Sequence, residues 1–420
     1  MAREMKNSGI EWIDEIPTNW KVMPHKYIMH KQKDICEHYN GEDIISLTMG
    51  GVIVRDLTAG GKMPTTFDGY QYVEPEDLLM CLFDIDVTPR CVGVVRNYGL
   101  TSPAYSRFKV QNGYYNCYYD YLLRFIDDEK VFIHLSKNLR SSLTETDFGA
   151  IKTIVPPYEE QKRIADFLDR KCAEIDTVIE KTKTTIEEYK KLKQSVITEA
   201  VTKGVRGDRA MKDSGIEWIG DIPADWDLIP LKYFVDLNKE TLGENTPEDY
   251  VFEFVEIGAV TLANGIGEYQ HYKFSDAPSR ARRVVHNGDI IVSTVRTYLK
   301  AIAIVPDKEN IIVSTGFAVL TPKNICTSYL GWALKSEYFV HTVSSNSVGI
   351  SYPAINASDL IKFKITVPDR CEQQEIADFL DRKCAEIDKL IADKTHLLEE
   401  MEIYKKSEIF EYVTGKKEIV

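Results

Sequence analysis

The sequence lacks the motifs that would give this chain a reaction of its own. There is no G-x-x-x-x-G-K-[ST] phosphate loop, because Gly60-Gly61-Lys62-Met63 has neither the spacing nor the hydroxyl. Val155-Pro156-Pro157-Tyr158 resembles the Asn/Asp-Pro-Pro-Tyr motif of amino-methyltransferases, but valine cannot hydrogen-bond a target amine. The sequence has no dinucleotide fingerprint, HExxH motif or Cys/His cluster. We therefore expect no catalytic residue, no metal ion and no cofactor in this chain itself.

Several short segments instead combine basic, amide and tyrosine side chains, the groups that contact nucleic acid. Arginine can donate two hydrogen bonds to guanine, and basic side chains pair with phosphates. The candidates in the second half of the chain are Arg280, Arg282, Arg283, Arg296, Tyr298, Lys300, Asn346, Ser347 and Tyr352. The candidates in the first half are Arg90, Arg107, Lys137, Asn138 and Arg140. For any single residue, a solvated charge at a strand edge is an equally good interpretation.

The overall charge neither predicts nor excludes such a role. The 52 basic and 65 acidic residues give a net charge of −13, whereas a non-specific nucleic-acid coat would be basic. Local patches decide affinity, so the partner stays open at this level. The tyrosines between Tyr114 and Tyr121 could stack on bases, but packing in the core is the better interpretation.

An internal repeat organises the elements that must position these residues. MKNSGIEWIDEIPTNW at 5–20 and MKDSGIEWIGDIPADW at 211–226 share eleven of sixteen residues at an offset of 206; we name this the SGIEW motif. IADFLDRKCAEID occurs without change at 164–176 and 376–388, an offset of 212. The chain is therefore a tandem duplication.

A long helix follows a variable segment in each repeat. From Leu168 and again from Leu380, apolar residues recur about every 3.5 residues among lysines and glutamates, as in a coiled coil. The variable segments, about 21–155 and 227–367, mix short β-type apolar runs with helical stretches at 118–125 and 329–338. Two such helices pack most simply antiparallel, holding the variable domains apart.

The predicted fold is therefore α/β (α+β), with two mixed domains separated by two long helices in an antiparallel coiled coil. The predicted domain organisation of the 420 residues is an SGIEW motif with a first variable domain at 1–157, a spacer helix at 158–205, the motif repeat with a second variable domain at 206–368, and a second spacer helix at 369–420.

The near-identity of the repeated pieces has two explanations. A recent duplication would leave them alike, but the variable domains have diverged almost beyond detection within the same chain. We favour two identical surfaces that bind two copies of one partner, while two different domains read two targets. The partner-docking candidates are Trp12, Trp20, Asp169, Arg170, Lys171, Glu174, Trp218, Trp226, Asp381, Arg382, Lys383 and Glu386.

These motifs resemble the specificity (S) subunits of type I DNA restriction-modification enzymes. The resemblance is carried by both SGIEW motifs, by PPYEEQKRIADFLDRKCAEID and VPDRCEQQEIADFLDRKCAEID, and by VRTYLKAIAIV (295–305), STGFAVL (314–320) and SYPAINASDL (351–360). It covers essentially the whole chain and favours Arg296 and Tyr298 as DNA contacts. The first domain departs from the pattern, with SPAYSRF at 102–108 and SLTETDF at 142–148.

The resemblance implies a non-catalytic subunit whose two target recognition domains bind a split site in double-stranded DNA. It implies two methyltransferase subunits that bring S-adenosylmethionine, and restriction subunits that use ATP and Mg²⁺. A coiled-coil scaffold that binds proteins, or a self-sufficient DNA-modifying enzyme, are the alternatives. Eight cysteines without a CxxC pair and the lack of a signal-peptide core or membrane-length apolar run favour a reducing cytoplasm.

Overall fold

The computed structural model describes residues 3–58, 64–88, 90–136, 142–349 and 351–419. The chain divides into two compact units. Unit 1 comprises residues 1–183 and 396–420, and unit 2 comprises residues 184–395. Each unit therefore contains one variable domain, the helix segment adjoining it, and a segment of the other long helix.

Unit 1 is built from twelve described strands and three short helices, followed by the start of a long helix. The strands are β1 Met5–Asn7, β2 Glu15–Pro17, β3 Lys21–Pro24, β4 Met29–Gln32, β5 Ile45–Thr48, β6 Gly51–Val54, β7 Gln71–Val73, β8 Leu78–Met80, β9 Val92–Val94, β10 Gly99–Thr101, β11 Ser106–Val110 and β12 Lys152–Val155. The helices are α1 Asn116–Asp128, α2 Val131–Leu135, α3 Glu145–Ala150 and the long α4 Tyr158–Lys203.

Unit 2 repeats this order with further strands in its variable domain. The strands are β13 Met211–Asp213, β14 Asp221–Pro223, β15 Asp227–Pro230, β16 Val235–Leu237, β17 Val251–Val255, β18 Val260–Thr261, β19 Gly265–Ile266, β20 Gln270–Lys273, β21 Ala281–Val284, β22 Ile290–Ser293, β23 Ile302–Ile304, β24 Ile311–Ser314, β25 Phe317–Pro322 and β26 Lys364–Val367. The helices are α5 Thr327–Lys335, α6 Glu337–Ser345, α7 Ala357–Leu360 and the long α8 Arg370–Val413.

Each variable domain contains its own four-stranded antiparallel sheet, and the two sheets are equivalent. The strand order is β4-β11-β8-β9 in unit 1 and β16-β25-β22-β23 in unit 2. The central strands β8 and β22 are apolar and fully buried, because both faces of the sheet are covered. Unit 2 adds a second four-stranded sheet, β20-β17-β24-β21, in which β17 and β24 run parallel. In the described part of unit 1, the corresponding region forms the two-stranded ladders β5-β6 and β7-β10.

The long helices pair antiparallel within each unit, as the apolar repeat predicts. In unit 1, Phe167 packs on Tyr412 with ring centroids 4.4 Å apart, and nine residues further along α4 Asp176 binds Lys405. In unit 2, Lys193 binds Asp388 and Arg206, just after α4, binds Glu375. Numbers on one helix rise as those on the other fall, so the direction is antiparallel. Among the described residues, no helix is long and apolar enough to cross a membrane.

The buried seam of α4 differs in detail from the apolar pattern. It runs through Leu168, Cys172, Ile175, Ile179, Thr182, Ile186, Lys193, Ile197 and Ala200. Val178 and Leu192, which also fit a 3.5-residue period, are 43% and 48% exposed. The apolar stem of Lys193, which ends in the charged Nζ, therefore occupies a place for which Leu192 was the sequence candidate.

Candidate nucleic-acid interface

The hairpin loop between β22 and β23 has an unusual and tightly fixed backbone. Ser293 N–H donates to the Ala301 carbonyl at 2.9 Å and closes the loop. Within it, Arg296 and Lys300 both adopt left-handed conformations, with φ of 53° and 50°. Residues other than glycine rarely adopt the left-handed backbone conformation, and those that do so cluster at functional sites. The turn Thr297–Leu299 between them is 3-10 helical.

A second loop is bonded to this hairpin. Thr297 Oγ1 donates to Ser347 Oγ at 2.8 Å, and Ile355 N–H donates to the Thr294 carbonyl at 2.9 Å. Ala354 forms β-bridges with both Val295 and Val348. We name residues 294–300 and 346–354, without the undescribed residue 350, the paired loops. They bring together two segments that the sequence offered separately.

The paired loops present cationic and aromatic groups to solvent. The Arg296 guanidinium lies 5.0 Å from the centroid of the Tyr352 ring. Tyr298 is 54% exposed, Tyr352 is 62% exposed and Val348 is 81% exposed. Within the described ranges, no carboxylate forms an ion pair with Arg296 or Lys300. A cleft of about 740 Å³ opens beside the loops, bounded by Asn346 and Val348 among other residues. The surface can therefore accept an anionic, planar ligand.

The three arginines on and before β21 do not form one basic patch. Arg280 pairs with Glu256, which neutralises its charge. Arg282 lies over the Phe274 ring at 4.7 Å and donates to the Ala281 carbonyl. Arg283 lines the 740 Å³ cleft, where it donates to Thr241 Oγ1 at 3.1 Å. Of the three, Arg283 alone lines the cleft beside the paired loops in the described part of the chain.

Unit 1 has a hairpin loop at the corresponding place, closed by a bond that encloses nine residues where that of unit 2 encloses seven. Cys81 N–H donates to the Cys91 carbonyl at 2.8 Å, and Leu143 N–H donates to the Leu82 carbonyl at 2.8 Å. These bonds correspond to Ser293–Ala301 and Ile355–Thr294 in unit 2. Asp84, 212 residues before Arg296, is also left-handed, with φ of 47°. The candidates Lys137, Asn138 and Arg140, which lie just before Leu143 in the sequence, fall outside the described residues.

Two arginines of unit 1 are engaged inside the domain. Arg107 is 5% exposed, and its Nε donates to Asp77 Oδ2 at 2.5 Å. Burial raises the pKa of Asp77 even though Arg107 lies beside it. Arg90 donates to the carbonyls of Val92 and Met49 at 2.7 and 3.2 Å, and burial lowers its pKa. The expected DNA contact by Arg107 is therefore corrected to a structural role, because a buried guanidinium cannot reach a groove.

Two of the partner-docking candidates bind their own variable domain. Asp169 Oδ1 accepts a hydrogen bond from the Tyr121 hydroxyl at 2.8 Å. The equivalent Asp381 accepts one from Trp332 Nε1 at 2.8 Å. The two aromatic donors lie on α1 and α5, so an unchanged aspartate secures a different domain in each repeat. The tyrosine run itself is in the core, with Tyr118 and Tyr119 fully buried.

Tryptophans Trp20 and Trp226 are also engaged within the fold. Both are fully buried, and their Nε1 groups donate to Glu160 and Glu372 at 3.0 Å. The expected docking role of these two is corrected to anchoring the SGIEW motif on a helix start. Trp12 is half-buried against the core, whereas Trp218 is 49% exposed and donates to Thr342.

Sequence reasoning missed several of these anchoring residues. Gln161 Oε1 and Gln373 Oε1 accept from the N–H groups of Tyr115 and Cys326, at the starts of α1 and α5. The signal was present, because the dipeptides Glu160-Gln161 and Glu372-Gln373 are identical in the two repeats. Thr297, buried among the paired loops, was also missed and had no such signal.

The remaining docking candidates, apart from the half-buried Lys171, lie on exposed faces of the helices. Arg170, Glu174 and Val178 are spaced four residues apart and are exposed, as are Arg382, Glu386 and Leu390. We name these two triplets the exposed stripes. Val178 and Leu390 are equally exposed, each at 43%. Lys171 lies over the Tyr404 ring at 5.6 Å, and Lys383 pairs with Glu386 at 3.0 Å.

Fold and site together define a duplicated chain in which each mixed α/β domain carries one fixed hairpin loop and is secured on an antiparallel helix pair. Residues 223–400 match the family model described as type I restriction modification DNA specificity domain. Over this segment, which holds the second variable domain and most of the second long helix, the chain is similar to type I restriction-modification specificity subunits.

Two relatives come from Methanocaldococcus jannaschii. The type I restriction enzyme MjaVIII specificity subunit is 29% identical over 283 residues, which is 64% of this chain and 63% of that protein. The putative type I restriction enzyme MjaX specificity subunit is 29% identical over 304 residues, 70% of this chain and 67% of that protein. The match thus spans about two thirds of each relative.

Solved structures share the fold at low identity. The HsdS subunit from Thermoanaerobacter tengcongensis gives a TM-score of 0.52 at 16% identity, covering 96% of this chain and 98% of that one. A chain from a study of complex assembly and conformational transition of the type I R-M system gives a TM-score of 0.71 at 15% identity, covering 96% and 99%.

Proposed function

We propose that this chain is the non-catalytic DNA-recognition subunit of a type I restriction-modification complex. Each variable domain reads one half of a split target in double-stranded DNA. The paired loops are the observation that supports this function most directly. They bring Arg296, Tyr298, Lys300 and Tyr352 together on an exposed surface. In the described part of the chain, no carboxylate forms an ion pair with either of its two basic side chains. Basic and amide groups on such a surface can contact both phosphates and base edges.

The antiparallel helices set the separation of the two half-sites in this proposal. Two domains that meet the same face of B-DNA must contact it about one helical turn, roughly 34 Å, apart. The ion pairs Lys193–Asp388 and Lys405–Asp176 support a fixed helix register. A fixed register gives one spacing between half-sites.

Two methyltransferase subunits dock on the two exposed stripes. Each stripe exposes an arginine, a glutamate and an apolar side chain in the same order. This repetition suits two copies of one partner. The methyltransferase subunits supply S-adenosylmethionine, and restriction subunits supply ATP- and Mg²⁺-dependent cleavage. The complex works in the cytoplasm. A matched test replaces Arg170 and Glu174 by alanine, or Arg382 and Glu386: either double variant should bind one methyltransferase subunit where the unchanged chain binds two.

Single-molecule methylation sequencing tests the function. A plasmid host would express this chain with its methyltransferase partner, and a control host would express the methyltransferase alone. We expect a split motif, methylated on adenine in both halves, only when this chain is present. Methylation that is identical without this chain, from a partner shown to be active, would overturn the proposal in favour of a protein-binding scaffold.

A further inference from the structure

We propose that Arg296 reads the guanine of one G·C pair in the half-site bound by unit 2, and that Thr297, Ser347 and Tyr352 hold it in position to do so. This inference rests on the proposed function and adds the chemistry of one base position to it. The ligand group is the O6/N7 acceptor pair of guanine in the major groove.

The backbone at Arg296 is held in a conformation that an isolated loop would seldom adopt. Arg296 and Lys300, both left-handed, flank the turn Thr297–Leu299. Two hydrogen bonds close this turn, from Leu299 N–H to the Arg296 carbonyl at 2.9 Å and from Lys300 N–H to the Thr297 carbonyl at 3.0 Å. Such strain persists only where the surroundings over-determine it. The site is therefore preformed before any ligand arrives.

The Thr297 hydroxyl supplies that restraint. It is 3% exposed and donates to Ser347 Oγ at 2.8 Å, and Ser347 Oγ donates onward to the Val343 carbonyl at 2.7 Å. The Thr297 N–H also donates to the Pro353 carbonyl at 3.3 Å. This chain of bonds ties the hairpin loop to the carboxyl end of α6. Removing the hydroxyl would free the turn without touching the guanidinium.

Tyr352 orients the guanidinium from the other side. The guanidinium carbon lies 5.0 Å from the Tyr352 ring centroid, a distance at which an arginine is attracted to an aromatic face. A planar guanidinium with fixed orientation can donate two parallel hydrogen bonds to guanine O6 and N7. A phosphate contact needs only a positive charge, which a flexible lysine such as Lys300 also supplies. The preorganisation of Arg296 therefore favours base reading over phosphate binding.

The equivalent loop of unit 1 supports a role in specificity. Asp84 occupies the left-handed position that corresponds to Arg296. An ionised carboxylate only accepts hydrogen bonds, whereas a guanidinium only donates them. The corresponding left-handed position thus carries side chains of opposite hydrogen-bonding chemistry in the two repeats. We therefore expect the two half-sites to differ at the base pair that lies against this position.

Variants of the paired loops test this inference in the methylation assay described above. Arg296→Lys keeps the charge but loses the two parallel N–H donors of the guanidinium, and Arg296→Ala loses both the charge and the donors. Thr297→Val removes the buried hydroxyl, whereas Thr297→Ser keeps it. Lys323→Ala is the control, because Lys323 is an exposed lysine of unit 2 outside the paired loops. Thermal melting of each variant checks that unit 2 is folded.

We expect the unchanged complex to require a G·C pair at one position of one half-site. Arg296→Lys and Arg296→Ala should both lower the preference for that pair by roughly 5- to 150-fold, the discrimination of one bidentate contact. Thr297→Val should relax the same position, while Thr297→Ser and Lys323→Ala should leave it unchanged. The other half-site should stay as it was in every variant.

Three results would overturn the inference while leaving the proposed function intact. The first is a chain-dependent motif whose unit 2 half lacks an invariant G·C pair. The second is a motif that Arg296→Ala leaves unchanged. The third is a motif that Arg296→Lys leaves unchanged, while Arg296→Ala weakens methylation regardless of the base at any position. The last result would assign Arg296 to a phosphate. Absence of any chain-dependent methylation would instead reject the proposed function itself.

Discussion

Lys193 donates to both carboxylate oxygens of Asp388, with Nζ–O distances of 2.7 and 2.6 Å. Lys405 binds Asp176 in the same way, at 2.6 and 2.7 Å. Both members of the second pair are related to the first by 212 residues, so the duplication has preserved an ion pair between opposite helices. The Lys193 side chain is 11% exposed at a seam position. A buried polar group of this kind can select one register of helix pairing.

Asp388→Asn should destabilise unit 2 because it leaves the lysine at the seam without its anion. Asp388 is about half exposed, so we expect a loss of about 1 kcal/mol in the free energy of unfolding. Lys193→Met removes the need for a partner, and Asp388→Asn should cost almost nothing in that background. Denaturant unfolding of the four proteins in this double-mutant cycle measures the coupling. An equal cost of Asp388→Asn in both backgrounds would exclude the pair as a register lock.

The sequence was sufficient to predict the architecture but not these pairings. The duplication and the helices Tyr158–Lys203 and Arg370–Val413 follow from identity and apolar period, which are local signals. The lysine at the seam lies next to Leu192, and the apolar period alone favours the leucine. Contact between Lys193 and Asp388 spans 195 residues, so local pattern carries no trace of it. The second sheet of unit 2 was missed for the same reason, since its parallel strands β17 and β24 are far apart in sequence.

The candidate site was predicted in part. The sequence offered the segments at 296–300 and 346–352, and their basic, amide and aromatic residues lie together in the structure. It also offered Arg107, because residue type does not reveal burial. The bond from Arg107 to Asp77 depends on how β11 and β8 pair, which no short motif specifies. Identity between the repeats does not separate docking residues from internal ones, since Asp169 and Trp20 form hydrogen bonds inside unit 1, as Asp381 and Trp226 do inside unit 2.

Arg107→Met should lower stability and leave the DNA target unchanged. The substitution strands the carboxylate of Asp77, which is 1% exposed, and breaking a buried pair costs about 3–5 kcal/mol. Denaturant unfolding and methylation sequencing of the same variant separate the two effects. Arg296→Ala is the matched contrast, with altered sequence preference and little loss of stability. A changed half-site motif in a stably folded Arg107→Met protein would contradict the structural role.

Tyr121→Phe and Trp332→Phe should each weaken the attachment of a variable domain to its helix. Each change removes the donor to Asp169 or Asp381 and should cost about 1 kcal/mol of stability. Binding of the methyltransferase subunits, measured by titration below the unfolding range, should stay the same. If a variant lost binding of a methyltransferase subunit while its stability was unchanged, Asp169 and Asp381 would instead belong to the surface that binds the partner.

Acid should destabilise unit 1 through His25, which is fully buried against Phe148 and whose ring Nδ1 lies 3.3 Å from the Phe148 carbonyl. Burial lowers the pKa of His25 from 6.5 to about 4. Between these values the unfolded chain binds a proton that the folded chain does not, so stability is complete above pH 6.5 and falls as the pH drops toward 4, by at most about 3 kcal/mol.

The equivalent residue of unit 2 is the buried Leu231, whose N–H donates to the Phe363 carbonyl as the N–H of His25 donates to the Ile151 carbonyl. His25→Leu should therefore fold and show a flatter pH dependence than the unchanged chain in urea unfolding from pH 7.5 to 4.5. Equal slopes for the two proteins would show that His25 is not the group that titrates.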